Sequence, residues 1–233
     1  MMNRVQFKKH VINLLRGEDL DTIFDELSSL PPKNLVNSLF TCLCHSHELV
    51  RWHAVSSFGL VVPAMAASDM EKARTVMRRF LWMLNDESGG IGWGVPEAMA
   101  EVMFHSRPLA EEYLHMLVSY TLDDGPELFQ DGNFLELELL QEGVLWGLCR
   151  VAPRYGTELT KLGLDENIAV YLLSENNTVK GLACRLANLL DLQKYKPLLE
   201  SAQDNHKPVR IYQQGAFINS TVAELAETAT QSL

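Results

Sequence analysis

The sequence predicts an all-α protein made of successive antiparallel helix pairs, with one short β-hairpin near the C-terminus. Three observations favour this class. Apolar residues recur at helical spacing from the N-terminus to about residue 205. No segment in that range alternates apolar and polar residues as a half-buried strand does. Glycine, proline and capping residues separate the segments at short intervals, which is typical of helices joined by short loops.

The composition is that of an acidic globular protein. The chain has 233 residues, of which 47% are hydrophobic, and this is enough apolar material for a sizeable core. It carries 30 acidic and 20 basic residues, a formal net charge of −10, and no polybasic run. Because phosphate-rich ligands need basic surfaces, this balance disfavours a general binding surface for nucleic acid or for an anionic membrane.

The sequence also predicts a cytoplasmic location. Its four cysteines, Cys42, Cys44, Cys149 and Cys184, do not have the regular spacing of a disulfide framework, so reduced thiols are expected. No apolar run reaches the roughly 18 residues that a membrane-spanning helix needs. Polar residues interrupt the N-terminal segment, which argues against a signal peptide.

The first half of the chain is predicted to form seven helices. Proline ends the helix that precedes Pro63, because proline breaks the hydrogen bonding of a helix interior. Ser68 and Glu71 have the spacing of a capping box, so the next helix is predicted to begin at Ser68. Its buried face is predicted to consist of Ala73, Val76, Met77, Phe80, Leu81 and Leu84. The predicted helices are 3–17, 19–30, 31–44, 47–62, 68–86, 96–106 and 108–122.

A long loop at 123–134 separates these helices from the second half of the chain. The next predicted helices are 135–152, 166–174, 178–191 and 195–203. β-Branched and aromatic residues then flank Gln214 and Gly215, which predicts a β-hairpin at about 208–219. A last helix is predicted at 221–229. The domain division predicted from this pattern is a helical repeat domain, 1–207, followed by 208–233 as a hairpin and helix packed on the last repeat.

Two segments of the chain are weakly repeated. "ELVRWHAVSSFG" at 48–59 and "NTVKGLACRLAN" at 177–188 both have valine, a basic residue, and alanine three residues later. "KPVRIYQQG" begins the same way 30 residues after the second copy, which is near the period of a helical solenoid. The positions that match the motif V-[RK]-x-x-A-x-x-x-[LF]-G, some of them loosely, are Val50, Arg51, Ala54, Phe58, Gly59, Val179, Lys180, Ala183, Ala187 and Asn188.

This motif resembles HEAT-like repeats, especially the short variety first named in phycobilin lyases. The resemblance implies a right-handed α-α superhelix in which the second helix of each pair lines the concave side. Polar residues on those helices would then contact a partner. The candidate partner-binding residues are Trp93, Arg51, His53, Glu97, Glu101, Glu142, Arg150, Lys180 and Arg185.

The glycine-rich segment "DESGGIGWGVPEAMAEV" at 86–102 allows three interpretations: a phosphate cradle, a turn between repeats, or a partner-contact loop centred on Trp93. A phosphate cradle needs a preceding strand or P-loop spacing, and this segment has neither. Asp86, Glu87 and Glu97 would also repel phosphate. The sequence therefore favours a turn that needs positive φ angles, with partner contact through Trp93 as the second interpretation.

Three further alternatives are weaker. Cys42, Cys44, His45 and His47 in "CLCHSH" could bind zinc, but their spacing does not match a structural zinc site. The His47-Glu48 pair is similar to the dyads of HEAT-like deoxyhypusine hydroxylases, although one dyad cannot bind two irons. HEAT-like DNA glycosylases use tryptophan at a cleft, but the acidic charge opposes DNA binding, and core packing explains Trp82 and Trp146 more simply.

The function predicted from these observations is a non-catalytic protein-interaction module or scaffold. Local signatures of catalysis such as G-x-S-x-G and H-E-x-x-H are absent from the sequence. The partner would be a protein of basic or mixed charge that contacts the concave face and the Trp93 loop, and no cofactor is predicted. The alternative is a cofactor-binding enzyme or lyase-like accessory protein with a site in the concave groove.

Overall fold

A computed structural model describes residues 2–85, 92–123 and 133–232. The chain divides into two compact units. The first comprises Met1–Glu111 with Gln214–Ala216, and the second comprises Glu112–Gln213 with Phe217–Leu233. The described residues form twelve α-helices and one two-stranded sheet, so the predicted all-α class with a hairpin is confirmed.

The first unit is organised around its longest helix, α4. This helix packs against α2, α3, α5 and α6, and α1 packs against α2 and α3. The helix α7 begins in this unit and ends in the second. The bounds of these helices are α1 Arg4–Leu14, α2 Leu20–Ser28, α3 Pro32–Cys42, α4 Glu48–Ser68, α5 Met70–Leu84, α6 Val95–His105 and α7 Arg107–Ser119.

The second unit is organised around α10, which packs against α8, α9, α12 and the first strand. The last helix, α12, also packs on α11. Short 3-10 helices at Leu164–Glu166 and Gln193–Tyr195 join the longer elements. The bounds are α8 Glu138–Lys161, α9 Ala169–Leu172, α10 Asn177–Leu189, α11 Lys196–Ala202, β1 Pro208–Gln213, β2 Ala216–Thr221 and α12 Val222–Ser232.

The predicted hairpin is present, and its turn has the expected backbone geometry. Gln214 and Gly215 have φ angles of 49° and 91°. A two-residue turn with positive φ at both positions matches the right-handed twist of the strands it connects. Glycine accepts this conformation without steric cost, which explains why Gly215 occupies the second position. The predicted domain boundary at 207/208 stays a prediction.

The prediction that a helix ends before Pro63 was wrong. Helix α4 continues through Pro63 to Ser68. Proline removes one backbone hydrogen bond, but Val61, Val62 and Met65 on either side of it are buried. Burial of these side chains offsets the lost bond, because tertiary packing overrides local helix propensity.

Helix α4 is also long and apolar enough to cross a membrane by length and composition. Of the most apolar 18-residue stretch of this helix, 61% is buried inside the protein. Val50, Ala54, Phe58 and Val62 are each inaccessible to solvent because neighbouring helices cover them. The apolar character of α4 is therefore that of the central helix of a packed unit.

The predicted capping residue of α5 was wrong by one position. Asp69, rather than Ser68, caps the helix, and its carboxylate accepts hydrogen bonds from the backbone N–H groups of Glu71 at 3.1 Å and Lys72 at 3.4 Å. Ser68 is instead the last residue of α4, where its hydroxyl donates to the carbonyl of Met65. Only one residue separates the two helices, so the cap falls on that residue.

Replacing Asp69 with alanine is expected to lower the melting temperature by about 2–4 °C, because two helix N–H groups lose their acceptor. Ser68→Ala is the matched control and is expected to have a smaller effect. Hydrogen bonds from the Lys72 side chain and backbone lower the pKa of Asp69. The difference in melting temperature between the two variants should therefore have its full size above about pH 4 and disappear as the pH falls through the lowered pKa of Asp69. Thermal unfolding at several pH values measures it.

Candidate protein-binding surfaces

Eight of the predicted partner-binding residues lie on four helices, and the ninth, Trp93, lies in a loop. Arg51 and His53 are on α4, Glu97 and Glu101 on α6, Glu142 and Arg150 on α8, and Lys180 and Arg185 on α10. Trp93 precedes α6. In the first unit α4 packs against α6, and in the second unit α8 packs against α10. Each unit therefore carries its predicted helical residues on one pair of neighbouring helices.

Trp93 lies in the turn that starts α6 and is 39% exposed. Gly94, which follows it, has φ +71°, as predicted for a turn that needs positive φ. A Cβ atom at Gly92 would lie 2.8 Å from Cδ2 of Leu84, so the turn passes close to the end of α5. Residues 86–91 of the glycine-rich segment lie outside the described residues, and its phosphate-binding and partner-contact interpretations stay predictions.

His53 and Glu101 are buried and contribute no exposed polar surface. Nδ1 of His53 lies 2.8 Å from the carbonyl oxygen of Leu15. The carboxylate of Glu101 lies 3.5 Å from Nε2 of His105. Helices α4 and α6 approach closely here, because a Cβ at Gly59 would lie 3.1 Å from the carbonyl oxygen of Glu101. This close approach buries the part of α6 around Glu101, which was predicted from the sequence to be exposed.

Arg51 and Glu97 are half-buried. The Nη1 group of Arg51 donates to the carbonyl of His45 at 3.2 Å, which fixes the arginine against the loop between α3 and α4. Of the five candidates in the first unit, Trp93, Arg51 and Glu97 therefore keep some solvent-accessible surface, although Oε2 of Glu97 is buried.

In the second unit, Asn176 connects two carboxylates of α8. Its Nδ2 group donates to Oε1 of Glu142 at 2.9 Å and to Oε2 of Glu138 at 3.2 Å. Its side-chain oxygen caps α10 by accepting from the N–H groups of Thr178 and Val179. One amide side chain thus fixes the start of α10 and holds two acidic groups of α8 near each other.

The pKa of Glu142 is raised above its usual range. Partial burial is the main cause, because it disfavours the charged carboxylate, and repulsion from Glu138 adds to it. The hydrogen bond from Asn176 acts in the opposite direction. A cation placed between the two carboxylates would weaken their mutual repulsion, and its attraction would offset the desolvation penalty of Glu142, so this cluster is chemically suited to a lysine or arginine side chain.

Exposed leucines lie on the same chain segments as this cluster. Leu137, Leu139 and Leu173 are 47%, 45% and 61% exposed. The ring of Phe134 stacks on Tyr171 with their centroids 6.1 Å apart, which ties the segment before α8 to α9. The segments at 134–142 and 171–176 therefore combine acidic and apolar groups on one part of the second unit.

Arg150, Lys180 and Arg185 are half-buried on α8 and α10. The Nη2 group of Arg185 donates to Oε1 of Gln213 at 2.8 Å, so this arginine is bound to the end of β1. Asn176 was not predicted from the sequence, whereas Glu138 ends the acidic stretch "DDGPELFQDGNFLELE" at 123–138, for which binding of a basic partner was the weaker interpretation. A local signal for Asn176 was present, since asparagine is a favoured helix N-cap and Asn176 comes directly before the segment "NTVKGLACRLAN".

The "CLCHSH" cluster does not bring its four side chains to one point. Cys42 is buried, whereas Cys44 and His47 are exposed. Burial raises the pKa of Cys42 to about 11, which keeps this thiol protonated at neutral pH. Among the residues that the structure describes, no three histidine, cysteine, aspartate or glutamate side chains are grouped as metal ligands would be.

The two tryptophans assigned to the core differ in the structure. Trp146 is 8% exposed, and its Nε1 donates to the carbonyl of Tyr212 at 2.8 Å, which confirms the prediction. Trp82 is 69% exposed, so its assignment to the core was wrong. It lies on the side of α5 opposite the buried residues Met77, Phe80 and Leu84.

The fold is shared with designed repeat proteins of known structure. An engineered protein matches with a TM-score of 0.56 at 14% identity, over 99% of this chain and 98% of that chain. A computationally designed armadillo repeat protein for modular peptide recognition and a designed armadillo repeat protein in complex with the peptide (KR)4 each match with a TM-score of 0.51 at 14% identity, over 96% of this chain and 98% of theirs. No protein-family model and no curated protein matches the sequence. The chain therefore has a helical repeat fold.

Proposed function

We propose that this chain is a non-catalytic, cytoplasmic scaffold that binds a basic segment of a partner protein. The observation that carries the proposal is the cluster of Glu138, Asn176 and Glu142 in the second unit, with exposed leucines on the same chain segments. We call the residues Leu137, Glu138, Leu139, Glu142, Leu173 and Asn176 the acidic surface.

The chemistry of the acidic surface suits lysine and arginine side chains. Each carboxylate accepts one hydrogen bond from Asn176 and has further lone pairs for a cationic donor. The partial burial of Glu142 strengthens its attraction to a cation, since the local dielectric is lower than that of water. Exposed leucines nearby would pack against the methylene groups of the same side chains.

The designed repeat proteins support this proposal. One of those structures contains the peptide (KR)4, which has only basic residues, and another was designed for modular peptide recognition. A stack of helices offers an extended surface to a peptide in extended conformation. We propose that Arg150, Lys180 and Arg185 add contacts in the second unit, and that Trp93, Arg51 and Glu97 contact the partner in the first. The presence of both charge signs fits a partner of mixed charge.

We further propose that the repeats are of the HEAT-like type. Val50 and Val179 of the two motif copies are buried, as are Ala54 and Ala183. The small alanines permit close packing of neighbouring helices, which supports a common structural role for the two copies. Alignment of related sequences at these positions would test the assignment, because a HEAT-like repeat requires the valine and alanine to recur at the same spacing.

Titration of fluorescently labelled (KR)4 with the full chain tests the proposed function. We expect saturable binding that weakens about three- to tenfold in Glu142→Gln, because one half-buried charge contact is lost. The matched control is Glu200→Gln on α11, which removes the same charge from an exposed position. Equal weakening in the two variants would mean that only net charge matters and would contradict a defined site.

The affinity for (KR)4 is expected to fall on acidification. Lysine and arginine keep their charge below neutral pH, so a fall in affinity reports the protonation of the carboxylates. Because the pKa of Glu142 is raised, the decline should begin at a higher pH than the value of about 4.3 for an ordinary glutamate. Glu142→Gln should move the decline to lower pH. Fluorescence polarisation across pH measures it, and an unchanged profile in the variant would count against a role for Glu142.

A further inference from the structure

The outer faces of α3 and α5 form a second exposed surface in the first unit. Trp82 is 69% exposed, the largest exposed fraction among the exposed large hydrophobic side chains of the described residues. Thr75, Arg78, Arg79 and Trp82 are spaced three and four residues apart, so they lie on one face of α5. All four are exposed. Tryptophan is seldom left this open to water unless it contacts another molecule.

The arginines of this face are held in place by neighbouring groups. Nη2 of Arg78 donates to Oε1 of Glu71 at 2.5 Å and to Oγ1 of Thr75 at 3.2 Å. Nη1 of Arg79 donates to Oδ1 of Asn37 at 3.2 Å, and its guanidinium carbon lies 3.8 Å from the centre of the Phe40 ring. Arginines that are already ordered lose less conformational entropy when they bind a partner.

Helix α3 extends this surface. Lys33, Asn37 and Thr41 are spaced four residues apart and are all exposed. The side chains of Asn37 and Thr41 donate to the carbonyl groups one turn earlier, at Lys33 and Asn37. The hydrogen bond between Arg79 and Asn37 joins the two helix faces. We call Lys33, Asn37, Arg78, Arg79 and Trp82 the basic surface.

The charge of this surface is opposite to that of the whole chain. Helices α3 and α5, with the capping residue of α5, contain five basic residues and two acidic ones, in a chain whose net charge is −10. The acidic residues, Asp69 and Glu71, are each paired with basic neighbours on α5. Lys33 and Arg79 are not members of these ion pairs: Lys33 lies on α3, and Arg79 is hydrogen-bonded to Asn37 of α3.

We infer that the basic surface is a docking site for an acidic protein segment that carries a large apolar side chain. The arginines would bind carboxylates, for which their planar guanidinium groups give paired hydrogen bonds, and Trp82 would pack on the apolar residue. Tryptophan and arginine are the residues that most often dominate the energy of protein interfaces. This partner is distinct from the basic segment of the proposed function, since the charge requirement is reversed.

A protein partner fits this surface better than nucleic acid or a membrane does. Single-stranded nucleic acid needs a series of aromatic side chains on which successive bases stack, and Trp82 is the one exposed aromatic residue on α3 and α5. An interfacial helix needs a continuous apolar face on its outer side, whereas the outer side of α5 is polar except at Trp82.

Selection from a random dodecapeptide phage library tests this inference. The library is first depleted on the double variant Arg78→Glu/Trp82→Ala and then selected on the wild-type full chain. We expect the recovered peptides to have net negative charge and at least one large apolar residue. Their affinity should fall about tenfold or more in Trp82→Ala and in Arg78→Glu. It should also fall as salt is raised.

Two controls make the outcome decisive. Arg16→Glu reverses an exposed charge elsewhere in the first unit and should leave the peptide affinity within about twofold. Circular dichroism and melting temperature establish that both single variants are folded. Peptides without net negative charge, or peptides that bind Trp82→Ala as tightly as wild type, would overturn the inference. Binding of oligothymidine or phosphatidylserine vesicles that is lost in the same variants, without peptide binding, would also overturn it.

Discussion

Phe58→Ala is expected to lower the free energy of unfolding of the first unit by about 3–5 kcal/mol. Phe58 is inaccessible to solvent on α4, and its ring centroid lies 5.0 Å from those of Phe40 on α3 and Phe80 on α5. The rings of Phe40 and Phe80 are themselves 4.9 Å apart. Removing the central ring leaves a cavity where three helices meet, and it also removes the edge-to-face ring contacts.

Thermal and urea unfolding measure this effect, which corresponds to a fall of about 10 °C in melting temperature. Trp82→Ala is the matched control, because it truncates an aromatic side chain of similar size at an exposed position of the same unit. Its effect should stay within about 0.5 kcal/mol. If Phe58→Ala cost less than about 1 kcal/mol, the three rings would not form the core of this unit.

Trp146→Ala is expected to destabilise the second unit by a similar amount, about 3–5 kcal/mol. Its side chain is buried on α8, and its Nε1 group donates to the carbonyl of Tyr212 on β1. The substitution removes both the buried ring and the hydrogen bond that joins helix to strand. Trp146→Phe keeps most of the ring, so it separates the two contributions and should cost about 1–3 kcal/mol for the unsatisfied carbonyl.

Urea unfolding of both variants tests the second expectation, with Leu139→Ala as the exposed control on the same helix. Near-UV circular dichroism should also lose signal in the tryptophan region. An equal loss of stability in Trp146→Phe and Trp146→Ala would assign the whole effect to the hydrogen bond. A negligible loss in both would contradict the burial of Trp146.

The elements with strong local signals were predictable. Helix α5 has apolar residues at helical spacing, and five of the six residues predicted for its buried face are buried, Leu81 being half-exposed. The hairpin was predictable because β-branched and aromatic residues flank Gln214 and Gly215, and glycine accepts a positive φ in the turn without steric cost. In both cases the information lies within a few residues, so tertiary packing did not change the outcome.

Features that depend on distant residues were not predictable. The continuation of α4 through Pro63 depends on helices that bury Val61 and Val62. Helical spacing places a residue on a face but does not say whether another helix covers that face, which is why Trp82 was assigned to the core and His53 to the surface. The acidic surface was predicted in part. Glu142 was predicted from its position on a helix, whereas Asn176 belongs to the surface because it donates hydrogen bonds to residues 34 and 38 positions away in the sequence.

We propose that a basic peptide binds at the acidic surface, and photo-crosslinking locates the bound peptide on the chain. The probe is (KR)4 with an N-terminal benzophenone, irradiated with the full chain and mapped by mass spectrometry. Adducts are predicted at 134–142 and 171–180 and should decrease in Glu142→Gln but not in Glu200→Gln. Absence of adducts in these segments, or adducts concentrated on another acidic helix such as α2, would mean that the peptide does not bind at the acidic surface.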